Sequence, residues 1–326
     1  MTRINATLQR WFTQRLINEQ HVSGHTLSAY RDTIRLLLGF THDRDGLTPC
    51  ELDFEHLNAT VIGAFLTWLE TDRHVSISTR NARLAALRSL FTYASFHHPE
   101  HAQLIARVLA IPSKRAAIPI VTFLTPAEID ALTAAPDPTT WTGRRDRCLL
   151  TVAIQTGLRV SELVALNRAE LTFGTGGHLQ CVGKGRKQRA VPLTAHTQTM
   201  LTAWLAEHHA SPVFAKRDGQ PLTRDAVRRI IDRHTLTAAA SCPTLNAKTM
   251  TPHVLRHTCA MQLLRADVDI AVIALILGHS GIETTRIYLH ADHDIKQRAL
   301  DRLTPPGIQP GRYQPTDTLL AFLDTL

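Results

Sequence analysis

Four short stretches carry side chains whose types and spacing suit chemistry on a phosphate. In TGLRVSELVAL, residues 156–166, Gly157 can close one helix in the left-handed conformation. Arg159 then enters the next turn, ahead of Ser161 and Glu162. A guanidinium fork there can grip a phosphate beside free helix amides, or it can pair with Glu162. In VGKGRKQRAVPL, residues 182–193, Lys184 lies between two glycines, as at a tight hairpin tip. A flexible ammonium there can reach a bound substrate and donate a proton, or it can simply be a solvated turn. Arg186, Lys187 and Arg189 add local positive charge suited to phosphate contacts. No GxxxxGK[ST] loop accompanies them. In TPHVLRHTCA, residues 251–260, Thr251 suits a cap and Pro252 a first helical turn. His253 and Arg256 then share a face and can bind one phosphate jointly. His257, four past His253, has a spacing that also permits metal ligation. Val254 breaks HExxH, however, and no cysteine pair or carboxylate completes a zinc pattern. In LILGHSGIETTRIYLH, residues 275–290, Gly278 ends an apolar run, His279 follows, and Tyr288 comes nine residues later. Taken alone, Tyr288 reads as a core aromatic. A phenol, with a pKa of about 10, attacks phosphate only with a proton acceptor and strong positive charge nearby. The other three stretches offer both.

These residues need elements to hold them. Residues 1–112 read as a bundle of helices. The segment TLQRWFTQRLINEQ places Leu8, Trp11, Phe12, Leu16 and Ile17 near one face. A second helix starts at SGHT and carries Thr26, Tyr30, Ile34 and Leu38. A third is capped by Asn58 or Thr60. The fourth bears Arg80, Arg83 and Arg88, each a candidate DNA contact or a solvated helix face. Prolines 112, 119 and 126 mark an extended connection that includes Lys114 and Arg115, two further candidate DNA contacts, and its linker is set at 113–123. A second domain, 124–303, opens on a capping box formed by Thr125 and Glu128. The glycine-separated segments of LTFGTGGHLQCVGKGRKQRAVPL break the helical period and predict a small antiparallel sheet, with helices before and after it. The fold expected is mainly α with that one sheet. A tail, 304–326, passes through four prolines to a short apolar segment with Leu319, Leu320, Phe322, Leu323 and Leu326.

Composition narrows the partner. The net charge is +8 over 326 residues, carried by 30 Arg against 6 Lys. That balance suits phosphate and hence nucleic acid. Over residues 1–115, 13 Lys and Arg stand against 10 Asp and Glu, so any basic stripe there must come from geometry. The five cysteines (50, 148, 181, 242 and 259) form no CxxC pair. They fit a reducing compartment, each buried by default. With no secretory pattern and no spanning apolar run, the expectation is a soluble cytoplasmic protein.

Taken together, and in this order along the chain, the residues resemble the tyrosine recombinase (phage integrase) family, which includes the Xer-type resolvases. The resemblance is strongest from 144 to 290. It implies a two-domain clamp, with a helical core-binding, SAM-like domain and a catalytic domain on opposite sides of DNA. Its catalytic set falls on Arg159, Lys184, His253, Arg256, His279 and the nucleophile Tyr288. It further implies double-stranded DNA with an inverted-repeat core site, a dimer per site and a tetramer in the synapse. Accessory proteins are possible partners, and no membrane, metal or cofactor is implied. By this resemblance the arginines hold the scissile phosphate, the histidines donate to it, Lys184 protonates a 5′-hydroxyl leaving group, and a 3′-phosphotyrosyl link stores the bond. His253 is also a reasonable base for Tyr288. The tail resembles a terminal helix that docks on a neighbouring protomer, or it packs in cis. A type IB topoisomerase and a non-catalytic DNA-binding protein of the same fold remain alternatives.

Overall fold

The computed structural model describes residues 4–116, 121–183, 188–279 and 281–291. Lys184, Arg186 and Lys187, the end of the expected catalytic domain and the whole tail lie outside them. The chain divides into two compact units, Met1–Ile118 and Pro119–Leu326. It is mainly helical with one small antiparallel sheet.

The first unit holds α1 (Ile4–Arg10), α2 (Gly24–Asp45), α3 (Ala59–Thr71), α4 (Ile77–Ser95) and α5 (Ala102–Leu109). Short polar residues start three of them. Ser23, Asn58 and Ser76 accept hydrogen bonds from the first-turn amides of α2, α3 and α4, satisfying groups a helix cannot pair internally. The core gathers Trp11, Leu37, Phe54, Phe65, Leu87 and Phe91. Between α1 and α2 the chain winds as a π-helix, Trp11–Glu19. Its i→i+5 bonding stacks Leu16 over Trp11, and both are buried. The wider turn carries Ile17 off that face, so Ile17 is 45% exposed, contrary to the 3.6-residue expectation.

Two arginines of α4, Arg80 and Arg88, differ from their reading as DNA contacts. Arg80 is 6% exposed. It donates to the Pro112 carbonyl at 3.2 Å and pairs with Glu70 at 3.3 Å. Arg88 donates to the Ile111 carbonyl and to Ser113. These two side chains fasten the start of the interdomain connection to α4, where extended backbone needs donors for its carbonyls. Arg83 is half-buried, and burial pulls its pKa down. Lys114 and Arg115 remain exposed, Lys114 paired with Glu70 at 2.8 Å.

The second unit holds α6 (Pro126–Ala134), α7 (Trp141–Thr156), α8 (Val160–Ala165), α9 (Ala195–Ala206), α10 (Arg224–Ala239), α11 (Pro252–Arg265), α12 (Ile270–Leu277) and α13 (Glu283–Ala291). Between α8 and α9 run β1 (Leu171–Thr172), β2 (His178–Val182) and β3 (Gln188–Pro192), antiparallel in the order β1-β2-β3. Cys181 faces Arg189 across the β2–β3 pair. Side chains alternate, so Leu179, Cys181 and Val191 face the core. That core also takes Leu150, Leu163, Leu201, Trp204, Phe214, Ile231 and Leu255. The capping box at α6 is present, and Glu128 additionally receives Thr244 and Lys248. Cys148, Cys181 and Cys259 are buried, but Cys50 is exposed and Cys242 is half-buried at the edge of the core it packs against. No described helix is long and apolar enough to cross a membrane.

Candidate active site

Two helix ends build the site. Gly157 ends α7 at φ 59° and Gly278 ends α12 at φ 66°, a left-handed conformation that costs least for glycine. Both are also crowded. A Cβ on Gly157 would lie 2.5 Å from Leu277, and one on Gly278 would lie 2.8 Å from Arg189. Helix C-termini present unpaired carbonyls and the negative end of the dipole, and here both attract arginines. Arg256, on α11 and 4% exposed, donates to the Gly157 carbonyl at 2.6 Å and the Leu277 carbonyl at 2.7 Å. Arg159, the residue before α8, donates to the Gly278 carbonyl at 2.8 Å. Burial, then the Arg159 charge, lowers the Arg256 pKa to about 10, which leaves it protonated at neutral pH.

Arg159 also pairs with Glu162 at 2.8 Å, so the two readings of this arginine are compatible. Glu162 is buried, and burial alone would raise its pKa. The hydrogen bonds and charges of Arg189 and Arg159 outweigh that and lower it. Arg189 donates to both Glu162 oxygens, at 2.9 and 2.8 Å, and to the Ile276 carbonyl at 3.0 Å. Its side chain is 11% exposed, which corrects its reading as a DNA contact. The strand period explains this: Arg189 lies two residues before Val191 and so shares its inward face.

His279 follows α12, and its Nδ1 lies 2.7 Å from the hydroxyl of buried Thr285 on α13. Its ring stacks 6.4 Å from that of Tyr288. Burial, then the charges of Arg256, Arg159 and Arg189, lowers its pKa to about 4. Tyr288 is 2% exposed and packs with Cys259, Met261, Leu264 and Leu277. Burial raises its pKa to about 12, against the opposing charge of Arg256. The expectation of a core aromatic is thus met physically, yet the ring stands beside the charged cluster.

The hydroxyl of Tyr288 meets His257, not His253. The Nδ1 of His257 lies 3.0 Å from it, while His253 is exposed, its ring 6.3 Å from that of His257. On α11 a one-residue step past Arg256 turns inward, whereas His253 opens the helix. This corrects the expectation that His253 accepts the Tyr288 proton in this state. In the sequence the 253–257 spacing suggests only a metal pattern. Burial, then the neighbours His253 and Arg256, lowers the His257 pKa to about 4.

Both depressed histidines make a stability claim. Their folded pKa lies below the ordinary 6.5, so the fold favours the neutral rings. That contribution is complete above about pH 6.5 and is lost as pH falls towards 4. The melting temperature should therefore drop across that window, and drop less in His257→Asn. Parallel curves for parent and variant would contradict the assignment.

Guanidinium groups and imidazoles thus gather around one tyrosine on this mainly helical fold, an arrangement whose charge suits a phosphate. Residues 122–294 match the phage integrase family, and residues 9–96 match the phage integrase N-terminal SAM-like domain. The chain is 48% identical over 322 residues to a protein named integrase/recombinase y4rC of Sinorhizobium fredii (strain NBRC 101917 / NGR234), covering 98% of this chain and 97% of that one. It is 33% identical to the tyrosine recombinase XerC of Rhodospirillum centenum (strain ATCC 51521 / SW), covering 87% and 82%. Among solved structures it superposes on the XerH site-specific recombinase bound to a palindromic difH substrate, with a TM-score of 0.69, 22% identity and coverage of 85% and 79%. It also superposes on the Tn1549 transposon integrase in complex with a circular intermediate DNA, at a TM-score of 0.68, 17% identity and coverage of 90% and 98%. The two structural likenesses speak for the fold. The chain belongs to the phage integrase family of tyrosine recombinases, enzymes of site-specific recombination that cut and rejoin DNA.

Proposed function

We propose that this chain recombines double-stranded DNA at an inverted-repeat core site through a 3′-phosphotyrosyl intermediate on Tyr288. The observation that carries the reading is the convergence of Arg159 and Arg256 on the end of α12, with His279 next in sequence and stacked on Tyr288. Each guanidinium uses two of its five N–H groups on the described partners, so each can also grip a non-bridging phosphate oxygen. A neutral His279 that accepts from Thr285 at Nδ1 carries its proton on Nε2, available for the charge that builds in the transition state. His253, exposed at the start of α11, donates to the same phosphate. Tyr288 attacks in line as its proton passes to the neutral His257 ring beside it, and the 5′-hydroxyl leaves, protonated by Lys184. A second 5′-hydroxyl then attacks the phosphotyrosyl bond and restores the backbone, so no external energy source is needed.

Burial of Tyr288 bears on the order of events. At 2% exposure its hydroxyl cannot meet a phosphate until the segment from His279 to Tyr288 shifts. Such a shift would let half the protomers of a tetrameric synapse, built from a dimer per site, cleave at one time. The domains are taken as 1–112, a linker at 113–123 and 124–303.

The test starts from a random duplex pool, from which the protein covalently captures its site. A supercoiled plasmid carrying two copies of that site in direct repeat is then incubated with it. Two circles, each with one site, are expected. Relaxation without exchange would support the topoisomerase alternative and overturn this reading.

A further inference from the structure

We infer that Arg189 is a positioning residue for the phosphate-binding arginine, an inference that rests on the reading of Arg159 above. Glu162 offers a buried carboxylate with four acceptor sites, and all four are filled. Its Oε1 accepts from Arg159 Nη1 and Arg189 Nη1, and its Oε2 accepts from the Arg159 backbone N–H and Arg189 Nη2. Arg189 thus takes the two-pronged face of the carboxylate, the geometry that a guanidinium prefers above others. Arg159 is left with a one-pronged contact and spends its other terminal nitrogen on Gly278.

Removal of Arg189 changes the competition. The two-pronged face falls vacant, and Arg159 is the charge beside it. The guanidinium of Arg159 then rotates onto Glu162, drops the Gly278 carbonyl and turns away from the position it needs for phosphate. Arg189 fixes a second side of the site as well. It donates to Ile276 and fills the space against Gly278, so it holds the end of α12 that sets His279. Lysine cannot replace it, because one ammonium cannot span both carboxylate oxygens and a carbonyl.

The test compares the parent protein with Arg189→Lys, Arg189→Ala and Arg189→Ala/Glu162→Gln on a nicked duplex selected by covalent capture. Melting temperature, salt dependence of binding and single-turnover cleavage at saturating DNA are read for each. The single Arg189 variants should stay folded and keep the parental salt slope, yet cleave about 10²-fold more slowly, the scale set by ångström misplacement. Added methylguanidinium should restore part of the rate in Arg189→Ala and none in the double variant. A parental cleavage rate would overturn the inference. A salt slope reduced by about one, with an unchanged saturated rate, would make Arg189 a phosphate contact instead. A slow rate that methylguanidinium leaves untouched would make it a merely structural residue. Tyr288→Phe runs in parallel, and its trapping on the same duplex would sink the underlying site reading. Independently of DNA, the Nε–H NMR signal of Arg159 should shift in Arg189→Lys, and an unmoved signal would again overturn the inference.

Discussion

Tyr288→Phe should bind the captured duplex as tightly as the parent and form no covalent complex with it, a loss on the order of 10⁴-fold or more. The substitution removes a single oxygen. Phenylalanine keeps the ring among Cys259, Met261, Leu264 and Leu277, so the buried packing survives. His257 loses its partner on Nδ1, but it is only half-buried and stays close to water. Melting should therefore move little while chemistry stops. Covalent trapping separates the roles that a buried tyrosine can play: phenylalanine serves equally as a core aromatic and leaves trapping intact, whereas a nucleophile loses the bond it forms. Retained covalent trapping by Tyr288→Phe would remove Tyr288 from the mechanism.

Arg256→Lys should be the second most damaging change, and it should damage two properties at once. Arg256 bridges the C-terminal carbonyls of α7 and α12 from a nearly sealed position. Lysine reaches one carbonyl and leaves the other buried without a donor, at a cost of about 1–3 kcal/mol. The fixed fork that would face the phosphate is also gone, and loss of one such donor slows reaction by about 10²–10³-fold. Thermal melting and single-turnover cleavage check the two effects separately. A variant that melts early yet cleaves at the parental rate would make Arg256 a structural tie alone.

Much of this arrangement was legible in the residues, for reasons that differ from one element to the next. Helix starts announced themselves because Ser23, Asn58, Thr125 and Thr251 are short polar side chains placed three residues ahead of the amides they accept from. The glycines at 157 and 278 marked helix ends because few other residues tolerate the left-handed conformation there. The β2–β3 hairpin was legible from its glycines and its broken helical period. Which arginine points inward was not legible from composition. Arg80, Arg88 and Arg189 have the same side chain as a phosphate contact, and only their backbone setting turns them onto carbonyls or Glu162. For Arg189 the alternation through Val191 carried the signal, and it outweighs local charge. For Arg80 the helical period carried it, since Leu84, Leu87 and Phe91 follow at i+4, i+7 and i+11 on the buried face of α4. The π-helix at Trp11–Glu19 stayed hidden because its sequence fits a 3.6-residue period nearly as well. His257 was visible only as half of a metal spacing, because its true partner lies 31 residues away on another helix.

The central claim is that one tyrosine of this chain becomes covalently bound to DNA. The sequence holds four, at positions 30, 93, 288 and 313. The direct measurement is mass spectrometry of the trapped complex after nuclease and protease digestion, which locates the peptide that carries a 3′-linked nucleotide. The account predicts the nucleotide on Tyr288 alone. Finding it on Tyr30, Tyr93, Tyr313 or a serine would contradict the account.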